Sequence, residues 1–87
     1  MAGSANDVLK QELKTLIVTV CDKPVPIESV GDDAPLLGPQ SVLGLDSLDV
    51  LQINAALQKR YGVRIRDGKQ ALGVMRSVNT LADFVSP

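Results

Sequence analysis

The chain has 87 residues, enough for one domain around one hydrophobic core and too few for two cores that would each stand alone. Apolar residues make up 45% and charged residues 22%, the balance of a globular protein; aromatics, at 2%, leave little with which to stack bases, so nucleic-acid binding is not expected. The net charge of -1 is segregated, with six acids against one lysine from Asp22 to Asp49, and four arginines and two lysines against two acids from Val50 onward, so an acidic region and a basic one are expected on one molecule.

Residues 1–5 are expected to be disordered and carry no basic start followed by an apolar run. No stretch approaches the roughly 20 apolar residues of a membrane span, so a soluble, unexported protein without membrane insertion is expected. Between Asp7 and Val20, Val8, Leu9, Leu13, Leu16, Ile17 and Val20 recur at spacings of three and four, the period of a helix with one buried face. Ser4, Asn6 and Asp7 are its candidate caps. Pro24 and Pro26 should end it by Asp22 or Lys23.

From Pro24 to Leu45 the chain holds four prolines, three glycines and no sustained period, which reads as a long loop. Its apolar residues, among them Val25, Val30, Leu36, Val42 and Leu43, predict an ordered strap packed across the helices. A second helix should begin at Asp46 or Ser47 and end at Tyr61, with Gly62 taking the left-handed turn. Leu48, Leu51 and Ala55 form one row of it, and Val50, Ile53, Leu57 and Tyr61 another, predicting a broad buried stripe.

Val63 to Arg66 reads as an extended connector, with no second strand to pair with it, so sheet is not expected. Asp67 can cap a short helix through Val74 or Met75, and Ser77 or Asn79 a last one ending before Ser86 and Pro87.

Absence of histidine excludes histidine metal sites and histidine-based nucleophile pairs, and no metal site is expected. Cys21 stands alone, so no internal disulfide forms and a reducing, cytoplasmic setting fits. Its place on an amphipathic helix reads as a small buried residue without a role. With no convincing cluster of acids outside the loop, an enzyme is not expected.

The informative stretch is Leu43-Gly44-Leu45-Asp46-Ser47-Leu48-Asp49. A serine at a helix N-terminus holds its hydroxyl outside the bundle, where free N–H groups and the helix dipole favour a phosphate ester. Leu45 and Leu48 are expected to anchor the turn in the core, and Asp46 and Asp49 to offer acids to a partner's metal or basic groups. Periodicity alone also allows Asp-Ser to be an ordinary cap.

This stretch resembles the phosphopantetheine attachment motif of acyl carrier proteins. The likeness extends over the amphipathic first helix, the loop with Ala34-Pro35-Leu36, and the ending Leu81-Ala82-Asp83-Phe84-Val85. It implies a single all-α domain over residues 1–87, a four-helix bundle with a short third helix and a long ordered loop between the first two. It also implies that a phosphopantetheinyl transferase moves 4'-phosphopantetheine from coenzyme A to Ser47, with Asp46 supporting the modification, and that acyl groups ride on the arm as thioesters. By the same likeness, acyl-transferring and synthase enzymes of fatty-acid, polyketide or related synthesis would be partners of a monomer. Leu51, Ala55, Leu72, Met75 and Leu81 are candidates to line an acyl cavity, although apolar residues at this spacing are also ordinary core. Leu48, Asp49, Gln52, Lys59, Asp32 and Asp33 are candidates for partner docking.

The sequence departs from the family's habit of presenting acids along the second helix, which has none after Asp49, so Asp22, Glu28, Asp32 and Asp33 are expected to share the docking. The stretch from Arg66 to Arg76 is also more basic. Both departures point to a specialised carrier with dedicated partners. A peptidyl or aminoacyl carrier shares the attachment chemistry, and a helical interaction module with an unmodified Ser47 is the alternative from another class.

Overall fold

The computed structural model describes residues 5–37, 41 and 43–86. The disorder expected of residues 1–5 falls, apart from Ala5, outside them, as does the packing expected of Val42. The described residues form four helices and no strand: α1 (Asp7–Val20), α2 (Ser47–Tyr61), α3 (Gly68–Val74) and α4 (Val78–Val85). None is long and apolar enough to cross a membrane.

Asn6 caps α1 by accepting the Leu9 N–H at 3.1 Å. Leu9, Leu13, Leu16 and Ile17 make its buried face. The helix ends before the prolines act on it. Asp22 takes φ 52°, Lys23 N–H reaches the Val18 carbonyl at 3.1 Å, and Asp22 N–H the Thr19 carbonyl at 3.3 Å, the paired bonds of a left-handed C-terminal turn.

The described residues between Pro24 and Leu45 form a strap, with one 3-10 turn among them at Ile27–Ser29. Val30, Leu36, Leu43 and Leu45 are buried, Leu36 completely, so apolar burial fixes its path across the bundle. An ionic clasp adds to that burial. Asp32 accepts from Lys10 Nζ at 3.1 Å and Lys14 Nζ at 2.7 Å, and its carbonyl accepts the Asn79 N–H of α4 at 3.0 Å.

The two ammonium groups, Lys14 foremost, hold the Asp32 carboxyl below its usual range. A carboxyl depressed on folding leaves the folded state with fewer bound protons. Its contribution is therefore complete above about pH 4 and lost as pH falls through the folded value. Urea unfolding at about pH 6 and about pH 3 should show wild type losing more stability on acidification than Asp32→Asn. Equal losses would remove the clasp from the account.

Asp46 caps α2, and Gly62 ends it at φ 73°. Lys59 and Arg60 lie where the dipole favours cations. No atom would meet a Cβ at position 62 within 4 Å, so the cost of Gly62→Ala is that of the backbone alone. About 1 kcal/mol is expected, or a melting temperature about 4–8 °C lower.

After α2 the connector is clamped by Asn54, whose Oδ1 accepts the Ile65 N–H at 2.8 Å and whose Nδ2 donates to the Ile65 carbonyl at 3.1 Å. Asp67 caps α3 through the Gln70 N–H, and Ser77 with Thr80 forms a capping box on α4. Helix α1 packs against both α2 and α4, and α3 against α4. Leu13 and Ile17, Ile53 and Leu57, and Met75, Val78 and Leu81 meet in a core from which solvent is excluded.

The buried stripe of α2 is narrower than its sequence predicts. Ile53 and Leu57 are buried, with Val50 and Tyr61 packed against them, whereas Leu48 and Leu51 are 61% and 65% exposed and Ala55 is exposed. At 3.6 residues per turn the row of Leu48, Leu51 and Ala55 stands nearly half a turn from Ile53 and Leu57, beyond the reach of α1.

Candidate functional site

The site forms where the strap enters α2. Ser41 Oγ accepts the N–H groups of Leu43 at 3.1 Å and Gly44 at 3.2 Å, and Gly44 turns the chain at φ 57°. Leu45 then anchors the turn, buried and donating its N–H to the Leu36 carbonyl at 3.3 Å. Leu48 does not share that task, because position 48 points away from the core-facing row of α2.

A reciprocal box closes the helix end. Asp46 Oδ1 accepts the Asp49 N–H at 3.0 Å, and Asp49 Oδ2 accepts the Asp46 N–H at 3.1 Å. Ser47 is the first residue of the helix, exposed, and its hydroxyl has no hydrogen-bond partner among the described residues. Asp46 thus does the capping and leaves the Ser47 hydroxyl uncommitted. The N–H groups of Ser47 and Leu48 lie between the two that the box uses.

The bond from the Asp46 N–H, with Lys23 Nζ 3.4 Å away, holds the Asp49 carboxyl below the usual range. Cys21 packs beneath this turn, its Sγ 3.9 Å from the Asp49 carbonyl. Burial first, then the Asp49 charge, pushes its thiol up to about 11, so it stays protonated at neutral pH and is a poor nucleophile.

Between α2 and α3 a cavity of about 490 Å3 opens beside Ser47. Leu45, Val50, Leu51, Ile65, Ala71 and Leu72 supply most of its wall, with Asp46 and Ser47 at one side and Arg66 and Asp67 at another. Of the five residues predicted to line a cavity, Leu51 and Leu72 do so. Met75 is a fully buried core residue touching a second cavity of about 530 Å3, which shares Leu37 and Leu72 with the first. Leu81 is core at 0% exposure and borders neither cavity, and Ala55 lies on the exposed side of α2.

The sequence of the family described as phosphopantetheine attachment site matches residues 11–85, nearly the whole chain and all four helices but the first turn of α1. The chain belongs to this family. No curated protein and no solved structure matches it. Phosphopantetheine attachment domains hold 4'-phosphopantetheine covalently and serve in general as carriers for enzymes that act on the arm.

The residues present fit such a group. A hydroxyl and N–H groups without partners among the described residues stand at a helix N-terminus, beside a cavity large enough for a small ligand. Two residues of this carrier domain that the pattern did not single out matter here. Asn54 lines the cavity and fixes the connector that closes it, and its signal was a polar residue in an apolar turn of α2. Leu37 comes from the strap, where no period marks a facing side.

The candidate docking residues divide. Leu48, Gln52 and Lys59 are exposed on one side of α2. Asp49 is half-buried in the capping box, Asp32 is held by Lys10 and Lys14, and Asp33 is bonded to the Asn79 side chain.

Proposed function

We propose that the chain is an acyl carrier protein bearing its arm on Ser47 and presenting acyl intermediates to fatty-acid, polyketide or related synthesis enzymes in the cytoplasm. The observation that carries this reading is the division of labour at the start of α2, where Asp46 supplies the cap and Ser47 keeps a free hydroxyl. The arm supplies a thiol on which acyl groups are held as thioesters. This chain's residues do the rest. Asp46 retains an Oδ2 that its cap does not use and can help bind a cation in the transferase complex. The N–H groups of the first turn and the helix dipole favour the phosphodiester.

The cavity supports apolar cargo. Its wall is mostly aliphatic, and Asn54, the polar residue deepest in sequence on α2 to border it, spends its amide on Ile65. An aliphatic chain entering there buries apolar surface against that wall, whereas the lining carboxylates that an aminoacyl ammonium could meet, Asp46 and Asp67, each already cap a helix. Incubation with a phosphopantetheinyl transferase and coenzyme A, followed by mass spectrometry of the intact and digested protein, tests the proposal. The expected result is one added prosthetic group on the peptide containing Ser47; an unchanged mass refutes it.

A further inference from the structure

This inference rests on the carrier reading and concerns the chemistry of the partner enzyme. Leu48 and Leu51 of α2 and Leu72 of α3 are each more than 60% exposed, and the latter two border the cavity that opens at Ser47. Exposed leucines beside a functional residue mark an interaction surface.

The rim of this patch changes sign along its length. At the Ser47 end lie the carboxylates of Asp46 and Asp49. Farther along lie Lys59, Arg66, Lys69 and Arg76, all exposed and without an ion pair among the described residues. Arg66 borders the same cavity as Leu51 and Leu72, Lys69 precedes Leu72 by one turn of α3, and Arg76 joins Leu72 at the second cavity. One acid interrupts the sequence from Lys59 to Arg76: Asp67, whose carboxylate caps α3. Of the loop acids, Asp32 and Asp33 are already bonded, which leaves Asp22 and Glu28 as the exposed ones without an ion pair among the described residues, and neither borders the cavity at Ser47.

We propose that the partner enzyme docks on Leu48, Leu51 and Leu72 through a surface with an apolar centre and a carboxylate-rich rim facing Lys59, Arg66, Lys69 and Arg76. These cations have no internal pair to break, so an acidic rim adds attraction, whereas a basic rim meets four like charges. A negatively charged membrane also suits leucines among cations. The protein surface is favoured because the patch adjoins Ser47, whose arm must enter an enzyme's active site, and because Asp46 and Asp49 at that end repel anionic headgroups.

The test titrates the isotope-labelled full chain, followed by NMR, with two synthetic helical peptides. Both carry leucines at the same spacing, one flanked by glutamates and the other by lysines. The glutamate peptide is expected to shift the amides of Leu48, Leu51 and Leu72 and to bind about fivefold tighter or more, with the preference reversed in the Arg66→Glu, Lys69→Glu double variant. Equal or better binding of the lysine peptide, no response of this face to either peptide, or preferential association with phosphatidylglycerol vesicles overturns the proposal. Prosthetic-group gain by the wild-type sample is read alongside. Its failure defeats the carrier reading, while gain without a glutamate preference defeats the docking inference alone.

Discussion

Ser47→Ala is expected to abolish prosthetic-group attachment while leaving the fold almost untouched. The ester forms through the hydroxyl oxygen, so a methyl group in its place leaves nothing to modify, and the loss should be complete. Stability should change by no more than about 0.5 kcal/mol, because Ser47 is exposed and makes no side-chain hydrogen bond among the described residues. Asp46→Ala provides the contrast. It removes the acceptor of the Asp49 N–H while keeping the backbone N–H that Asp49 Oδ2 accepts, so it should cost about 1 kcal/mol. Intact mass and thermal unfolding, measured on the same three proteins, separate the roles. A Ser47→Ala protein that still gains the group would place the attachment elsewhere, and one that unfolds like Asp46→Ala would make the serine a structural cap after all.

That separation could not be drawn from the sequence. Asp-Ser before an apolar helix allows either residue to cap, and only the backbone at Asp46, extended at φ -115° and ψ -174°, assigns the role. The helix boundaries were legible because local chemistry fixes them: Asn6, Asp46, Asp67 and Ser77 each cap a helix, and Gly62 ends one. The end of α1 was legible in place but not in cause, since Asp22 adopts a conformation more typical of glycine and no residue type announced it.

Which apolar face of α2 is buried was the harder question. Both of its rows have helical spacing, and only the position of α1 selects Ile53 and Leu57 over Leu48 and Leu51. Tertiary placement of this kind leaves no trace in a single period. The same reasoning explains the cavity, part of which comes from the strap and the connector, where residues such as Leu37 and Ile65 follow no repeat. Once α2 turns its second row outward, the free hydroxyl, the cavity and the exposed leucines fall on one side of the bundle.

Leu81→Ala and Leu72→Ala test that division between core and cavity most severely. Leu81 is wholly buried in α4 among helices that hold the bundle together, and its truncation leaves a void that close packing cannot fill. A loss of about 2–5 kcal/mol is expected, a large share of the roughly 5–15 kcal/mol that stabilises a domain. The melting temperature should fall by roughly 10 °C or more. Leu72 is 65% exposed, and alanine is the better helix former, so its truncation should change stability by about 0.5 kcal/mol or less. Its effect belongs to the cavities, because Leu72 lines both of them and alanine there removes part of each wall. Paired thermal melts decide the matter: a Leu72→Ala loss comparable to that of Leu81→Ala would return Leu72 to the core and close the cavity as a place for cargo.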